Sequence, residues 1–227
     1  MHYLILSLVV LAIVFGPGLW VQRIMQRYSE PDDRYPDTGA ALARYLLDRF
    51  DLQDVGVEET DVGDHYDPQQ KVVRLTADKF NGRSLTAVTV AAHEVGHALQ
   101  DQAGYGPLRL RTHLVVATRG AEKLGAAILM ASPFVGLITR APSIGVLMFL
   151  GGILSLASAT LVHFVTLPTE LDASFARALP ILERGGILKP EDHPHARRLL
   201  TAAALTYVSV SLMSLLNIAR WWAILRR

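Results

Sequence analysis

Long uncharged runs constrain this chain more than anything else in it. Residues Tyr3–Val21 contain no Asp, Glu, Lys or Arg. From Leu124 to Leu167 only Arg140 is charged, and Leu199–Ile218 form another uncharged stretch that ends at Arg220, Trp221 and Trp222. About 20 apolar residues suffice for a helix to cross a bilayer, and aromatic and basic residues suit its interfaces. Ser132-Pro133 and Ala141-Pro142-Ser143 divide the middle run, so the pattern predicts transmembrane helices at 3–21, 124–139, 143–167 and 199–219. The first run lacks a basic leading region and a clear small-x-small cleavage site, so it reads as a retained helix rather than a secretory signal. The predicted fold class is mainly α: a polytopic membrane protein with about four spans, in one domain over 1–227.

The remainder is a mostly polar region, 22–110. Thr38 can cap a helix whose apolar face holds Ala41, Leu42, Leu46 and Leu47. Val55–Thr60 and Lys71–Leu75 are β-branched, and the turn-forming segment Gly63–Gln70 separates them. They predict a small antiparallel hairpin, making this region α+β. Ser84 can cap a further helix over 84–103, which Gly104 stops. After Leu167-Pro168 another helix is predicted over 169–184, followed by a polar loop from Lys189 to Arg198.

The chain has 227 residues and a formal net charge of +1, so its charge balance points to no nucleic-acid partner. It has no cysteine, which excludes disulfides and thiolate metal sites. Any transition metal must be held by its eight histidines and its carboxylates.

Two of those histidines are spaced for a metal. His93 and His97 stand four apart on the predicted helix 84–103, which places both imidazoles on one face, one turn apart. Glu94 adjoins the first of them and can take a proton from a zinc-activated water that attacks a carbonyl. A chance His-Glu-x-x-His is the competing explanation, and the capped helix with its apolar back face argues against it. Gly96 in mid-helix costs about 1 kcal/mol of propensity, which implies that something packs closely over it.

A catalytic zinc needs a third protein ligand. No third histidine follows His97 at short spacing. The candidates are Glu170, Asp172, His113, His163, His193 and His195. Glu170 leads them because it follows Pro168 in the first turn of a predicted helix. Stabilising the oxyanion needs a further group, and Tyr207, His113, His65 and Tyr66 are available for it.

These segments together resemble the YugP-like neutral zinc metallopeptidases of bacterial membranes. The matching pieces are Asp64-His65-Tyr66-Asp67-Pro68, Lys71–Leu75, Ala91–Asp101, Leu167–Ser174 and Ala202–Val208, in the same order along nearly the whole chain. The resemblance implies a gluzincin-type site in which Glu170 is the third ligand of one zinc ion. It also implies a supporting acidic residue about a turn later. Asp172 and Ser174 occupy that neighbourhood, offset from the usual spacing. A β-strand beside the zinc helix is implied as well, pairing with substrate backbone, and Lys71, Val72, Val73 and Arg74 are its natural match.

The function expected from all this is a membrane-bound zinc metallopeptidase, an endopeptidase with Glu94 as general base. Its expected partners are the lipid bilayer and a peptide or membrane-protein substrate. A non-proteolytic zinc-binding scaffold with the same fold is the alternative. A metal transporter is disfavoured by the scarcity of charge inside the apolar runs. Arg23, Arg27, Arg109, Arg111, Arg119, Lys123, Arg177 and Arg184 outnumber Arg140, Arg220, Arg226 and Arg227 across the predicted spans. That asymmetry predicts an inner-membrane protein with its active site on the cytoplasmic face.

Overall fold

The structure, a computed structural model, describes residues 2–206. It divides into two compact units: Gly16–Arg109 with Leu167–Thr206 form one, and Leu110–Thr166 with the start of the first helix belong to the other.

The first unit is built around a central helix. Helix α1 (His2–Arg27) ends in it, followed by α2 (Gly39–Arg49). The Thr38 hydroxyl accepts from the Ala41 amide at 3.1 Å, so α2 starts at a satisfied cap. Leu42, Ala43, Leu46 and Leu47 are buried along one face, and Arg44 pairs with Asp48 at 2.6 Å on the other. Three strands follow: β1 (Gly56–Thr60), β2 (His65–Asp67) and β3 (Val72–Thr76). A short helix, α3 (Ala77–Phe80), leads to α4 (Leu85–Gln102). Ser84 Oγ accepts from the Ala87 amide at 3.1 Å and caps α4. Every residue of α4 from Leu85 to Gln100 is buried. A helix buried on all sides is normally apolar all round. This one carries His93, Glu94, His97 and Gln100, and each needs a partner inside the protein.

The sheet differs from the predicted hairpin. β3 is its central strand, in the order β1-β3-β2, and β1 runs parallel to β3 with Gly56 opposite Val72 and Thr60 opposite Thr76. The reason lies in Gly63–Gln70, which is more than a turn. It contains β2, which pairs antiparallel to β3 with Tyr66 opposite Val73. Two reversals, one on each side of β2, restore the original direction. The second is fixed by Asp67, whose Oδ1 accepts from the Gln69 and Gln70 amides at 2.9 and 3.1 Å. Burial works against the Asp67 charge. The Gln70 and Gln69 amides and the Arg74 guanidinium outweigh it and hold the carboxyl below its ordinary range.

The unit is closed by segments from late in the chain. Helix α6 (Pro142–Leu171) runs into a π-helical stretch, Asp172–Ala178, and then α7 (Leu179–Arg184). A further helical segment covers 193–206. Leu182, Leu199 and Leu200 are fully buried with Leu46, Leu47, Val73 and Leu75 in one core. A polar clasp joins early and late segments. Arg34 grips Asp192 through two bonds of 2.6 Å, and the Tyr35 hydroxyl donates to the same carboxylate at 2.5 Å. Burial opposes ionisation of Asp192. The Arg34 and Tyr35 donors outweigh it, and the carboxyl is held low.

In the second unit, α5 (Gly106–Ile138) and α6 lie antiparallel. A Cβ on Gly145 would stand 2.9 Å from the Ser132 carbonyl oxygen, so the two backbones approach where side chains would part them. Phe134, Leu137, Ile138, Leu147 and Leu154 are exposed on this helix pair.

The four-span expectation is overturned. Among the described residues no helix is long and apolar enough to cross a membrane. The uncharged runs are not separate elements. Predicted span 3–21 is part of α1, which continues through Arg23 to Arg27. Span 124–139 is the end of α5, whose earlier turns carry Arg109, Arg111, Arg119, Glu122 and Lys123. Span 143–167 is the body of α6, which carries on through Pro168 to Glu170. The fourth, 199–219, continues a helical segment as far as 206 and then lies outside the described residues. The multi-pass topology falls, and the cytoplasmic side inferred from it falls too.

Candidate metal centre

His93 and His97 project from α4 with ring centroids 4.8 Å apart and planes at 77°. This edge-to-face arrangement aims both Nε2 atoms at one point. Glu170, at the end of α6, meets them there: its Oε2 lies 3.2 Å from His93 Nε2 and 3.3 Å from His97 Nε2. The three residues are 4%, 4% and 1% exposed. Among the described residues they form a group whose ligand atoms all lie within 4.8 Å of one another. A zinc ion with ligands at about 2.0–2.1 Å in a tetrahedron separates neighbouring donors by roughly 3.3 Å. The carboxylate-to-imidazole distances match that edge. Two imidazole nitrogens and one carboxylate oxygen are also a donor set that zinc accepts in catalytic sites. The residues present therefore fit the ion.

Each histidine is held from behind. His93 Nδ1 lies 3.1 Å from Ser174 Oγ, and Ser174 in turn donates to the Leu200 carbonyl at 3.2 Å. His97 Nδ1 lies 2.9 Å from Gln100 Oε1. Gln100 Nε2 donates to the Thr169 carbonyl at 2.8 Å and to Asp172 Oδ2 at 2.7 Å. Arg177 Nε reaches the same Asp172 oxygen at 2.8 Å. A π-helical stretch, Asp172–Ala178, begins two residues after Glu170. Its residues bond five apart instead of four, which changes the helical phase just after Glu170. Glu170 and Ser174 then both address His93 from one chain segment.

Gly96 explains how that segment comes so near. A Cβ there would lie 2.7 Å from the Ala173 carbonyl oxygen, a backbone atom that cannot swing away. Alanine would gain about 1 kcal/mol of helix propensity, but overpacking costs about 1–3 kcal/mol. Gly96→Ala is therefore expected to lower stability by a net of up to about 2 kcal/mol. It should also weaken zinc binding, because it pushes Ser174 away from His93. Urea unfolding and a zinc titration measure the two effects, and an unchanged zinc affinity would show that this contact does not set the ligand geometry.

Glu94 is 6% exposed on α4, directly after His93. Asp172 reaches His97 only through Gln100, whereas Ser174 touches His93 itself. The other sequence candidates fall elsewhere. His113 is exposed on α5 in the other compact unit, and Tyr207 lies outside the described residues. His193 is half-buried in the segment 193–206 and does not belong to the group of three, and the His163 side chain, on α6, lies outside what the structure describes. His195 Nδ1 lies 3.1 Å from the Tyr28 hydroxyl. His65 Nδ1 faces the Gly63 carbonyl at 2.8 Å, as a turn residue. The Tyr66 hydroxyl donates to Asp101 Oδ2 at 2.8 Å. Burial, then that carboxylate, pushes the Tyr66 phenol well above its ordinary range, so it stays protonated.

The substrate-pairing strand is also corrected. An edge strand was expected at Lys71, Val72, Val73 and Arg74. Val72–Arg74 instead pair with β1 on one side and β2 on the other, so no open edge remains there for a peptide. Lys71 precedes the strand with φ of 53° and binds Asp101 at 2.5 Å. Gln100 and Arg177 were not picked out from the sequence. The signal for Gln100 was present: three residues after His97, it shares that residue's helix face.

Over residues 3–226 the chain matches a protein family described as "Putative neutral zinc metallopeptidase". It is 34% identical over 223 residues to the "Putative membrane protease YugP" of Bacillus subtilis (strain 168), covering 97% of this chain and 95% of that one. No solved structure matches it.

Proposed function

This chain belongs to the neutral zinc metallopeptidase family, and on that premise we propose that it is a zinc-dependent endopeptidase whose single ion is held by His93, His97 and Glu170. The observation that carries the reading is the convergence of two imidazole nitrogens on one carboxylate oxygen at 3.2 and 3.3 Å. Zinc in such a site supplies Lewis acidity to a water and to the scissile carbonyl. The other roles fall to the chain. Glu94 takes the proton that the attacking water loses and passes it to the departing amine. The buried helix around it keeps bulk water from competing for that proton.

A peptide substrate follows from the family. Association with a bilayer is part of the proposal. It is supported by the relative's description as a membrane protease and by the exposed Phe134, Leu137, Ile138 and Leu147.

Treatment with a chelator followed by gel filtration tests the reading. Hydrolysis of a quenched peptide library should disappear with the metal and return when one equivalent of zinc is added. A protein that binds one zinc yet cleaves no peptide or protein substrate would favour a zinc-binding scaffold instead.

A further inference from the structure

We propose that Gln100 and Ser174 are positioning residues that hold His97 and His93 as the Nδ1–H tautomer, and that Asp172 and Arg177 act on His97 through Gln100. The inference rests on His93, His97 and Glu170 being the zinc ligands. An imidazole that binds a metal through Nε2 must carry its proton on Nδ1. In solution a neutral histidine exchanges between both tautomers, so a site that fixes one of them binds metal more tightly.

The fixing follows from counting hydrogens. Ser174 has one hydroxyl hydrogen, and the Leu200 carbonyl 3.2 Å away is a partner that can only accept it. Toward His93 Nδ1, 3.1 Å away, Ser174 Oγ can then only accept. His93 Nδ1 must therefore be the donor. Gln100 is settled the same way. Its two amide hydrogens go to the Thr169 carbonyl at 2.8 Å and Asp172 Oδ2 at 2.7 Å. A carbonyl cannot donate, and neither can a carboxylate engaged by a guanidinium. Turning the amide over would set Gln100 Oε1 against two acceptor oxygens. Its oxygen therefore faces His97, whose Nδ1 at 2.9 Å must be the donor. Gln100 is fully buried, so water cannot substitute for either partner.

Arg177 completes the chain from the outside. Its Nε holds Asp172 Oδ2 at 2.8 Å, and its guanidinium lies 5.9 Å from the centre of the Tyr105 ring. Both members of that ion pair are 22% exposed in their side chains, so each can be changed without opening the core. Glutamine suits this position better than a carboxylate would. A Glu at 100 could accept from His97 but would place a second negative charge against Asp172 and the Thr169 carbonyl.

The test combines zinc affinity by chelator competition with long-range 1H–15N NMR of the metal-free protein, which reads each histidine's tautomer directly. In the unmodified chain both His93 and His97 should carry a proton on Nδ1, whatever Glu170 holds at Nε2. Asp172→Leu and Arg177→Met should give His97 a mixture of tautomers, Ser174→Ala should do so for His93, and each should weaken zinc binding roughly 10- to 100-fold. Arg177→Lys still donates to Asp172 and should retain the single His97 tautomer. Unchanged tautomers in Asp172→Leu and Ser174→Ala would overturn the proposal, as would an unaltered zinc affinity in both. Should the unmodified chain bind no zinc, the ligand assignment fails, and the tautomer populations still decide whether these residues position the rings.

Discussion

Replacing Glu94 by Gln is expected to lower peptide hydrolysis by roughly 100- to 10,000-fold, the range that general-base catalysis contributes. The same variant should keep one zinc per chain. The two expectations separate because the substitution alters one capacity only. Gln has the shape of Glu, so the buried surroundings of residue 94, which is 6% exposed, can stay packed. It cannot accept a proton from water as a carboxylate does. His93, His97 and Glu170 are untouched, and so are Ser174 and Gln100 behind the rings. Turnover of a quenched peptide, read beside metal content by mass spectrometry, gives both quantities from one preparation. Full activity in the variant would mean that another group takes the proton. Loss of zinc along with activity would give Glu94 a structural part.

What could be read from the sequence was set by range. Thr38 and Ser84 act as helix caps within three residues of their partners, so their signals are local, and both helices begin where those residues stand. The four-residue spacing of His93 and His97 is equally local. The direction of β1 against β3 was not legible, because β2 is three residues long and lies among turn-forming residues. The seven-residue π-helical stretch is too short to impose an apolar period of its own. Residues Glu170 and Asp172 were both plausible ligands by composition. Only the chain path decides that Glu170 meets the imidazoles while Asp172 meets Gln100. The uncharged runs misled for a different reason. They record where charge is absent, and say nothing of where a helix starts or stops. Helices α1, α5 and α6 all extend past them into charged turns.

Removing Glu170 separates a metal ligand from a structural carboxylate by how much of the zinc-induced stabilisation survives. It lies 77 residues from His93 in the chain, so a metal bound by both ties α4 to the end of α6. Zinc that binds the folded chain alone stabilises it by about 4 kcal/mol at a thousandfold excess over Kd, which for a chain of this size raises Tm by roughly 10 °C. Glu170→Ala should abolish most of that rise. In the metal-free protein the same change costs stability too, because two buried rings lose the carboxylate oxygen that lies 3.2 and 3.3 Å from them. The metal-free Tm therefore falls whichever part Glu170 plays. Were Glu170 only a partner for the two imidazoles, zinc would still raise the Tm of the variant by about as much as it raises that of the unmodified chain. Differential scanning calorimetry of both proteins, with and without zinc, therefore reads the role of Glu170 from the rise that zinc produces in each.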